Sequence, residues 1–258
     1  MCMYLRGEVW NYKGSLIPPI DRKDSYEALV HFGHRGMREV TIHFPLYDSV
    51  KSLYVGVEPD ALLQKGAEYR AVKPFICYGS SITQGGCASR PGNCYSNILS
   101  RKLNMDHINL GFSGNAKGEQ VMADYIAGLP MSVFLLDYDH NAPSIEHLEA
   151  THEKFFLTIR EKIPDLPVIM ATKTDTPRTK QLAETLQIRR EIVFRTYENA
   201  VKRGDKYIKF IDGGKTFNEI CLMGIPADSC TVDGCHPNDL GFACMAKVFE
   251  QAIREMSV

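Results

Sequence analysis

Two short stretches of this sequence carry residue types that can do covalent chemistry. The first is FICYGSSITQGG, Phe75 to Gly86, where an apolar run stops abruptly in small and hydroxylated residues. A serine just past such a run, here Ser81, can be displayed at a sheet edge as a nucleophile. By itself, a serine after a strand is more often a turn residue or a helix N-cap. The second stretch is TVDGCHPNDLG, in which Asp233 and His236 stand three residues apart. In such a set the imidazole takes the proton of the hydroxyl, and the carboxylate holds the other ring nitrogen. A helix is expected to begin at Pro237, since proline suits a first helical position. A helix N-terminus disfavours an imidazolium and would keep His236 able to accept a proton. A lone D-x-x-H is more often a loop acid beside a cap-region histidine, so each stretch gains meaning from the elements that position it.

Those elements read clearly after Pro74. Apolar runs at Phe75–Gly79, His107–Phe112, Met131–Tyr138, Leu166–Thr172 and Tyr207–Asp212 alternate with helical patterns. The helices are expected over 93–104, 117–129, 144–163, 179–204 and 238–256. Continuous apolar strands alternating with helices predict a parallel sheet covered on both faces, a three-layer α/β/α sandwich with five strands. Phe75 to Tyr78 is read as its central strand. Ligands of such sheets bind beyond the carboxyl ends of the strands. Ser81, Gly114, Asp139–Asn141, Asp175 and the loop to His236 all fall there. Arg189 and Arg190, on a long helix, read as a solvated face.

Before residue 70 the chain has a different character. EALVHFG, REVTIHFPLY and SLYVGV are rich in Val, Tyr and Phe and broken by Gly, Pro and Asp, which predicts antiparallel strands. About 70 residues is short for a β-sandwich of ~100. The expected organisation is therefore a small β-rich region over 1–70, with a share in a sandwich as an option, and an α/β domain over 71–258.

Composition narrows the function classes. Basic and acidic residues nearly balance, 30 against 31, with no long like-charge block, so nucleic acid and anionic membranes are not expected partners. No apolar run reaches the ~18 residues of a membrane span. The first residues lack the apolar core of a secretory signal. None of the eight cysteines forms a C-x-x-C pair, so no metal site is expected, and free thiols in a cytoplasmic protein are the expected state. The sequence is silent on oligomeric state.

G-x-S-x-T is not the G-x-S-x-G elbow of α/β-hydrolases, and an Asp and His this close in sequence require another serine-hydrolase architecture. The blocks resemble those of the SGNH, or GDSL-like, hydrolase superfamily, in order and at successive strand ends over about residues 73–256. YGSSITQG is similar to its first block, NLGFSGNA to the second, LLDYDHNA to the third and VDGCHPND to the last. The sequence departs from the family pattern twice. Ser80 stands where Asp is commoner, and the third block reads Asp139-His140-Asn141-Ala142 instead of G-x-N-D. The resemblance implies the flavodoxin-like sheet and a serine esterase without a cofactor, with Ser81, His236 and Asp233 as triad. It implies an oxyanion hole of the Ser81 N–H, the Gly114 N–H and the Asn141 amide. Tyr78, His140 and Asp175 are expected to line the pocket, although loop polarity alone also accounts for them. The β segment followed by YGSSIT resembles two-part esterases, several of which deacylate sugars. The expected substrate is thus a small-molecule or carbohydrate ester, with acetyl the expected acyl group. A lipase or thioesterase of the same superfamily, or a non-catalytic carbohydrate-binding module on this fold, are the alternatives.

Overall fold

The computed structural model describes residues 1–21, 24–70, 73–174, 176–177 and 179–256. The chain folds into two compact units. One is Met1–Tyr69 with Arg90–Gly92, and the other is Arg70–Ser89 with Asn93–Val258.

The described residues of the smaller unit hold three antiparallel strands, β1 (Cys2–Arg6), β2 (Trp10–Ser15) and β3 (Val40–His43), in the order β2-β1-β3. Its core is small. Tyr4 and Cys2 are buried, and the Tyr4 ring meets Tyr12 and His43 edge-on. Arg90 donates to the Tyr4 hydroxyl at 3.1 Å. Only the middle of REVTIHFPLY becomes a strand. EALVHFG and SLYVGV do not, and β1 and β2 arise where no strand was expected. β-propensity records packing on a half-buried surface. Leu29, Tyr54 and Val55 have no such surface and stay exposed, whereas Cys2 and Tyr4 alternate inward.

The larger unit follows the expected alternation. Its elements run β4 (Phe75–Gly79), α1 (Ser81–Gln84), α2 (Tyr95–Leu103), β5 (His107–Gly111), α3 (Gln120–Ala127) and β6 (Val133–Asp137). They continue with α4 (Ile145–Lys162), β7 (Val168–Ala171), α5 (Lys180–Lys202), β8 (Ile208–Ile211), α6 (Asn218–Leu222) and α7 (Asp239–Glu255). All sheet pairings are parallel, in the order β5-β4-β6-β7-β8. The middle strand is β6. β4 stands between β5 and β6, where the chain switches direction across the sheet, the place where ligands collect in such folds.

Period-two alternation splits the core into two layers. Ile76, Tyr78, Phe134, Leu136, Val168 and Met170 face α3, α4 and α5, including Ile126, Phe155 and Val193. Phe75, Cys77, Val133, Leu135 and Ile169 face α2 and α7, including Leu99, Phe242 and Phe249. Burial on both faces is why these strands read as unbroken apolar runs. Three caps fix helix starts. Ser144 and Thr179 accept the N–H of His147 and Leu182, and Asn238 accepts from Leu240 and Gly241. The last corrects the expectation for Pro237. The Asn238 amide oxygen satisfies two of the helix's otherwise unpaired N–H groups, so α7 begins at Asp239 and Pro237 lies outside it.

The core also holds a neutral imidazole. His152 on α4 is buried, stacks on Tyr138 and reaches Thr196 Oγ1 at 2.9 Å. Burial pushes its pKa down to about 4 from the usual 6.5, against the pull of Asp139 and Glu153. Between those two values the unfolded chain binds a proton that the folded chain refuses. Stability from this group is therefore complete above pH 6.5 and is lost as pH falls toward 4. Urea titrations at pH 7 and pH 4.5 should show a loss of about 2–3 kcal/mol from this source. His152→Gln should lack that increment; equal losses in both proteins would refute the assignment.

Candidate active site

The site is built on the sharp turn after β4. A Cβ on Gly79 would lie 2.1 Å from Thr83 Oγ1 and 2.3 Å from the Asp137 carbonyl oxygen, so only glycine lets α1 fold back so closely. Ser80 caps α1, its Oγ accepting the Ile82 N–H at 3.0 Å, and Ser81 is the first residue of the helix. Gly85, at φ +103°, ends the helix after one turn.

The loop before α7 meets this turn. Ser81 Oγ lies 3.0 Å from His236 Nε2, across 155 residues of chain. His236 Nδ1 lies 2.7 Å from Asp233 Oδ2. Asp233 Oδ1 accepts the N–H groups of His236 at 2.7 Å and Cys235 at 2.9 Å. Partial burial raises the Asp233 pKa, but these bonds and the imidazole prevail and hold it near 2. The loop is closed by Val232 N–H on the His236 carbonyl, and it is tied to the segment after β7 by Thr176 N–H on the Gly234 carbonyl. Asp239 fastens the other side. It accepts from Ser89 N–H at 2.9 Å and Asn93 Nδ2 at 2.8 Å, which links the segment after α1 to the start of α7.

The second and third blocks converge on one peptide. Phe112 N–H donates to the Gly79 carbonyl at 2.8 Å. Its carbonyl accepts Asn115 N–H, Ala116 N–H and Asn141 Nδ2, the last at 3.0 Å. Gly114 adopts φ +68°, and a Cβ there would meet open space. Its glycine thus answers to backbone conformation. Among the described residues, none accepts the Gly114 N–H.

The remaining candidates lie elsewhere than expected. Tyr78 is fully buried among Phe155, Tyr138 and Phe112 and does not line a pocket. Even-numbered residues of β4 face the α3–α4 layer. Tyr78 Oη donates to Glu119 at 3.2 Å and accepts Gly118 N–H at 3.0 Å, anchoring the loop that carries Gly114. His140 points inward. Its Nε2 is 2.5 Å from Ser80 Oγ and its Nδ1 3.0 Å from Asp139 Oδ1. Asp175 lies outside the described residues. Arg189 is not on a solvated face; it donates to the Asp139 and Ala142 carbonyls, and Arg190 pairs with Asp212 at 3.3 Å.

Sequence reading placed Asp139 at a strand end without giving it a role, and it missed Asp137, the other acid behind the turn. Asp137 ends β6, Asp139 opens the turn that follows, and both are buried. Burial, with the Asp139 charge beside it, drives the Asp137 carboxyl well above the usual range. Burial also works against Asp139, but His140 and the Lys173 N–H outweigh it and lower its pKa. A buried acid at a strand's carboxyl end, next to His140, was the available signal. Asp137, Asp139 and His140 offer ligand atoms within 4.8 Å of one another, as do Asp233, Cys235 and His236. In both groups the imidazole is already committed to hydrogen bonds. A cleft of about 400 Å³ borders Asp233 rather than Ser81, lined by Thr176, Pro177, Asp228, Thr231, Val232 and Gly234. Among the described residues, no helix is long and apolar enough to cross a membrane.

The sheet order, with a hydroxyl, an imidazole and a carboxylate in line at its switch point, is the architecture of an SGNH hydrolase. The GDSL-like lipase/acylhydrolase family matches residues 72–254, and the chain belongs to that family. It is a hydrolase of ester bonds. A putative GDSL-like lipase from Bacteroides ovatus ATCC 8483 is 30% identical over 99% of this chain and 74% of its own, with a TM-score of 0.79. A family two carbohydrate esterase from Clostridium thermocellum in complex with cellohexaose is 16% identical over 76% of this chain and 67% of its own, TM-score 0.56. A catalytic mutant of an acetylxylan esterase from Geobacillus stearothermophilus is 20% identical over 71% of this chain and 94% of its own, TM-score 0.54. The last two share the fold. Among curated proteins, none matches the sequence significantly.

Proposed function

We propose that this chain is a serine esterase that removes small acyl groups, acetyl above all, from carbohydrate esters. The observation that carries the reading is the unbroken line from Ser81 Oγ through His236 to Asp233, at 3.0 and 2.7 Å. Ser81 Oγ attacks the ester carbonyl while His236 Nε2 takes its proton. Asp233, ionised at any working pH because its pKa sits near 2, holds the Nδ1–H tautomer and supports the imidazolium. The C–O bond to the sugar breaks as His236 returns the proton to the leaving alkoxide. Water then repeats the sequence on the acyl-enzyme, with His236 again taking the proton, and releases the acid.

The tetrahedral oxyanion takes hydrogen bonds from the Ser81 N–H, the Gly114 N–H and the Asn141 amide. Phe112, which bridges the Gly79, Gly114 and Asn141 segments, supports that grouping. The cleft beside Asp233 supports a sugar in preference to a lipid. Thr176, Asp228 and Thr231 offer hydroxyls and a carboxylate, with only Pro177 and Val232 apolar. Sugar hydroxyls pair with such groups, whereas a long acyl chain needs a mainly apolar wall. The two-unit organisation, with a β-rich unit of Met1–Tyr69 and Arg90–Gly92 and a separate hydrolase unit, supports a two-part sugar esterase.

Profiling p-nitrophenyl acetate, p-nitrophenyl octanoate and an acetylated xylo-oligosaccharide tests substrate class. Acetate should exceed octanoate in kcat/KM by on the order of 10-fold or more. The oligosaccharide should be deacetylated. Preference for octanoate with an untouched oligosaccharide would replace this reading with a lipase.

A further inference from the structure

The hydrogen-bond pattern Asp–His–Ser occurs twice in this site. Beside Asp233, His236 and Ser81 runs a second line of Asp139, His140 and Ser80. Ser80 is fully buried, Asp139 is 1% exposed and the His140 side chain 9%.

The protons in the second line can be assigned. Asp139 is held ionised and can only accept. Its Oδ1 takes the His140 N–H at 2.8 Å and faces His140 Nδ1 at 3.0 Å, so Nδ1 carries the ring hydrogen. In a neutral ring Nε2 is then an acceptor, and Ser80 Oγ donates to it. One Ser80 lone pair is taken by the Ile82 N–H. Asp139 Oδ2 accepts the Lys173 N–H at 3.2 Å, and Arg189 holds the carbonyls of Asp139 and Ala142. Ser80 cannot serve as a nucleophile. It has no access to solvent, and its oxygen is bound from both sides.

We propose that Asp139, His140 and Ser80 are positioning residues that lock two oxyanion donors of the esterase site to each other. The inference rests on the esterase reading above. Ser80 shares its peptide bond with the Ser81 N–H, and His140 directly precedes Asn141. The single contact from His140 Nε2 to Ser80 Oγ therefore joins the turn that aims the Ser81 N–H to the turn that aims the Asn141 amide. Ser80 and Asp139 are both positions where this sequence departs from its family's pattern, and the His140 ring bonds to each of them. A fixed donor pair costs no reorganisation as the oxyanion forms, which is where preorganisation acts.

The test is steady-state kinetics on p-nitrophenyl acetate for Ser80→Ala, His140→Ala, Asn141→Ala and the double variant His140→Ala/Asn141→Ala, with Ser81→Ala as reference. Loosening either turn should lower kcat by ~10- to 100-fold with KM within about twofold, since the loss falls on the transition state. His140→Ala should cost less on top of Asn141→Ala than it does alone, because one of the two donors the lock aims is already gone. Ser80→Thr, which restores the hydroxyl, should recover part of the loss. If His140→Ala does not fold, Ser80→Ala carries the same comparison. Folded variants with unchanged kcat, or a double variant whose loss is the product of the single losses, overturn the proposal. If Ser81→Ala keeps wild-type rates, the esterase reading itself fails. A dead Ser81→Ala beside fully active Ser80 and His140 variants sinks only the lock.

Discussion

Ser81→Ala is expected to lower kcat on p-nitrophenyl acetate by roughly 10⁴- to 10⁶-fold, leaving at most the slow turnover that binding and oxyanion donors give alone. The size follows from position. Ser81 is the first residue of a one-turn helix held by the Ser80 cap and the close approach at Gly79, and its Oγ already sits 3.0 Å from His236. Removing one oxygen from a partly exposed side chain leaves that scaffold in place, since the cap belongs to Ser80. Thermal midpoints should therefore stay within a few degrees of wild type. Activity close to wild type would show that another group attacks the ester.

His236→Ala should cost nearly as much, on the order of 10⁵- to 10⁶-fold, and Asp233→Asn about 10⁴-fold. Hydroxyl and base act as a unit, so the double variant Ser81→Ala/His236→Ala should be no slower than either single one. Asp233→Asn works differently. An asparagine amide donates toward Nδ1, which forces the ring hydrogen to Nε2 and takes away the acceptor that Ser81 needs. The two backbone N–H groups on Asp233 Oδ1 can still bond to the amide oxygen, so the loop fold should survive. Additive losses for Ser81→Ala and His236→Ala would contradict the shared role.

The parallel sheet was legible because its strands are buried on both faces. β4 and β6 bury every residue, and such strands announce themselves as apolar runs ending in polar loops. The smaller unit was not legible. EALVHFG and SLYVGV have the composition of strands but lack a surface to pack on, and the hydrogen-bonding edges of β1 are taken by β2 and β3. Composition records what a segment could pair with, and the available edge decides.

Within the site, the spacing of Asp233 and His236 and the serine at a strand end were enough to nominate the groups that now stand 2.7 and 3.0 Å apart. Direction was not readable. Tyr78 and His140 lie within three residues of chemistry-bearing residues, yet both point into the protein. For Tyr78 the strand period decides this, because it shares a face with Ile76 toward α4. For His140 a single turn of 3-10 helix after β6 turns the ring toward Ser80, and no periodicity covers three residues. Pro237 gave a false helix start because Asn238, one residue later, captures two N–H groups that proline leaves unserved.

The central claim is that Ser81 is the nucleophile, and covalent labelling reads it directly. A fluorophosphonate probe forms a stable adduct with an activated serine, and fragmentation of the labelled peptide separates Ser81 from its buried neighbour Ser80. One adduct per chain on Ser81, absent from Ser81→Ala and strongly slowed in His236→Ala, is the expected result. No adduct on the wild-type protein, or an adduct on another residue that persists in Ser81→Ala, would contradict the account.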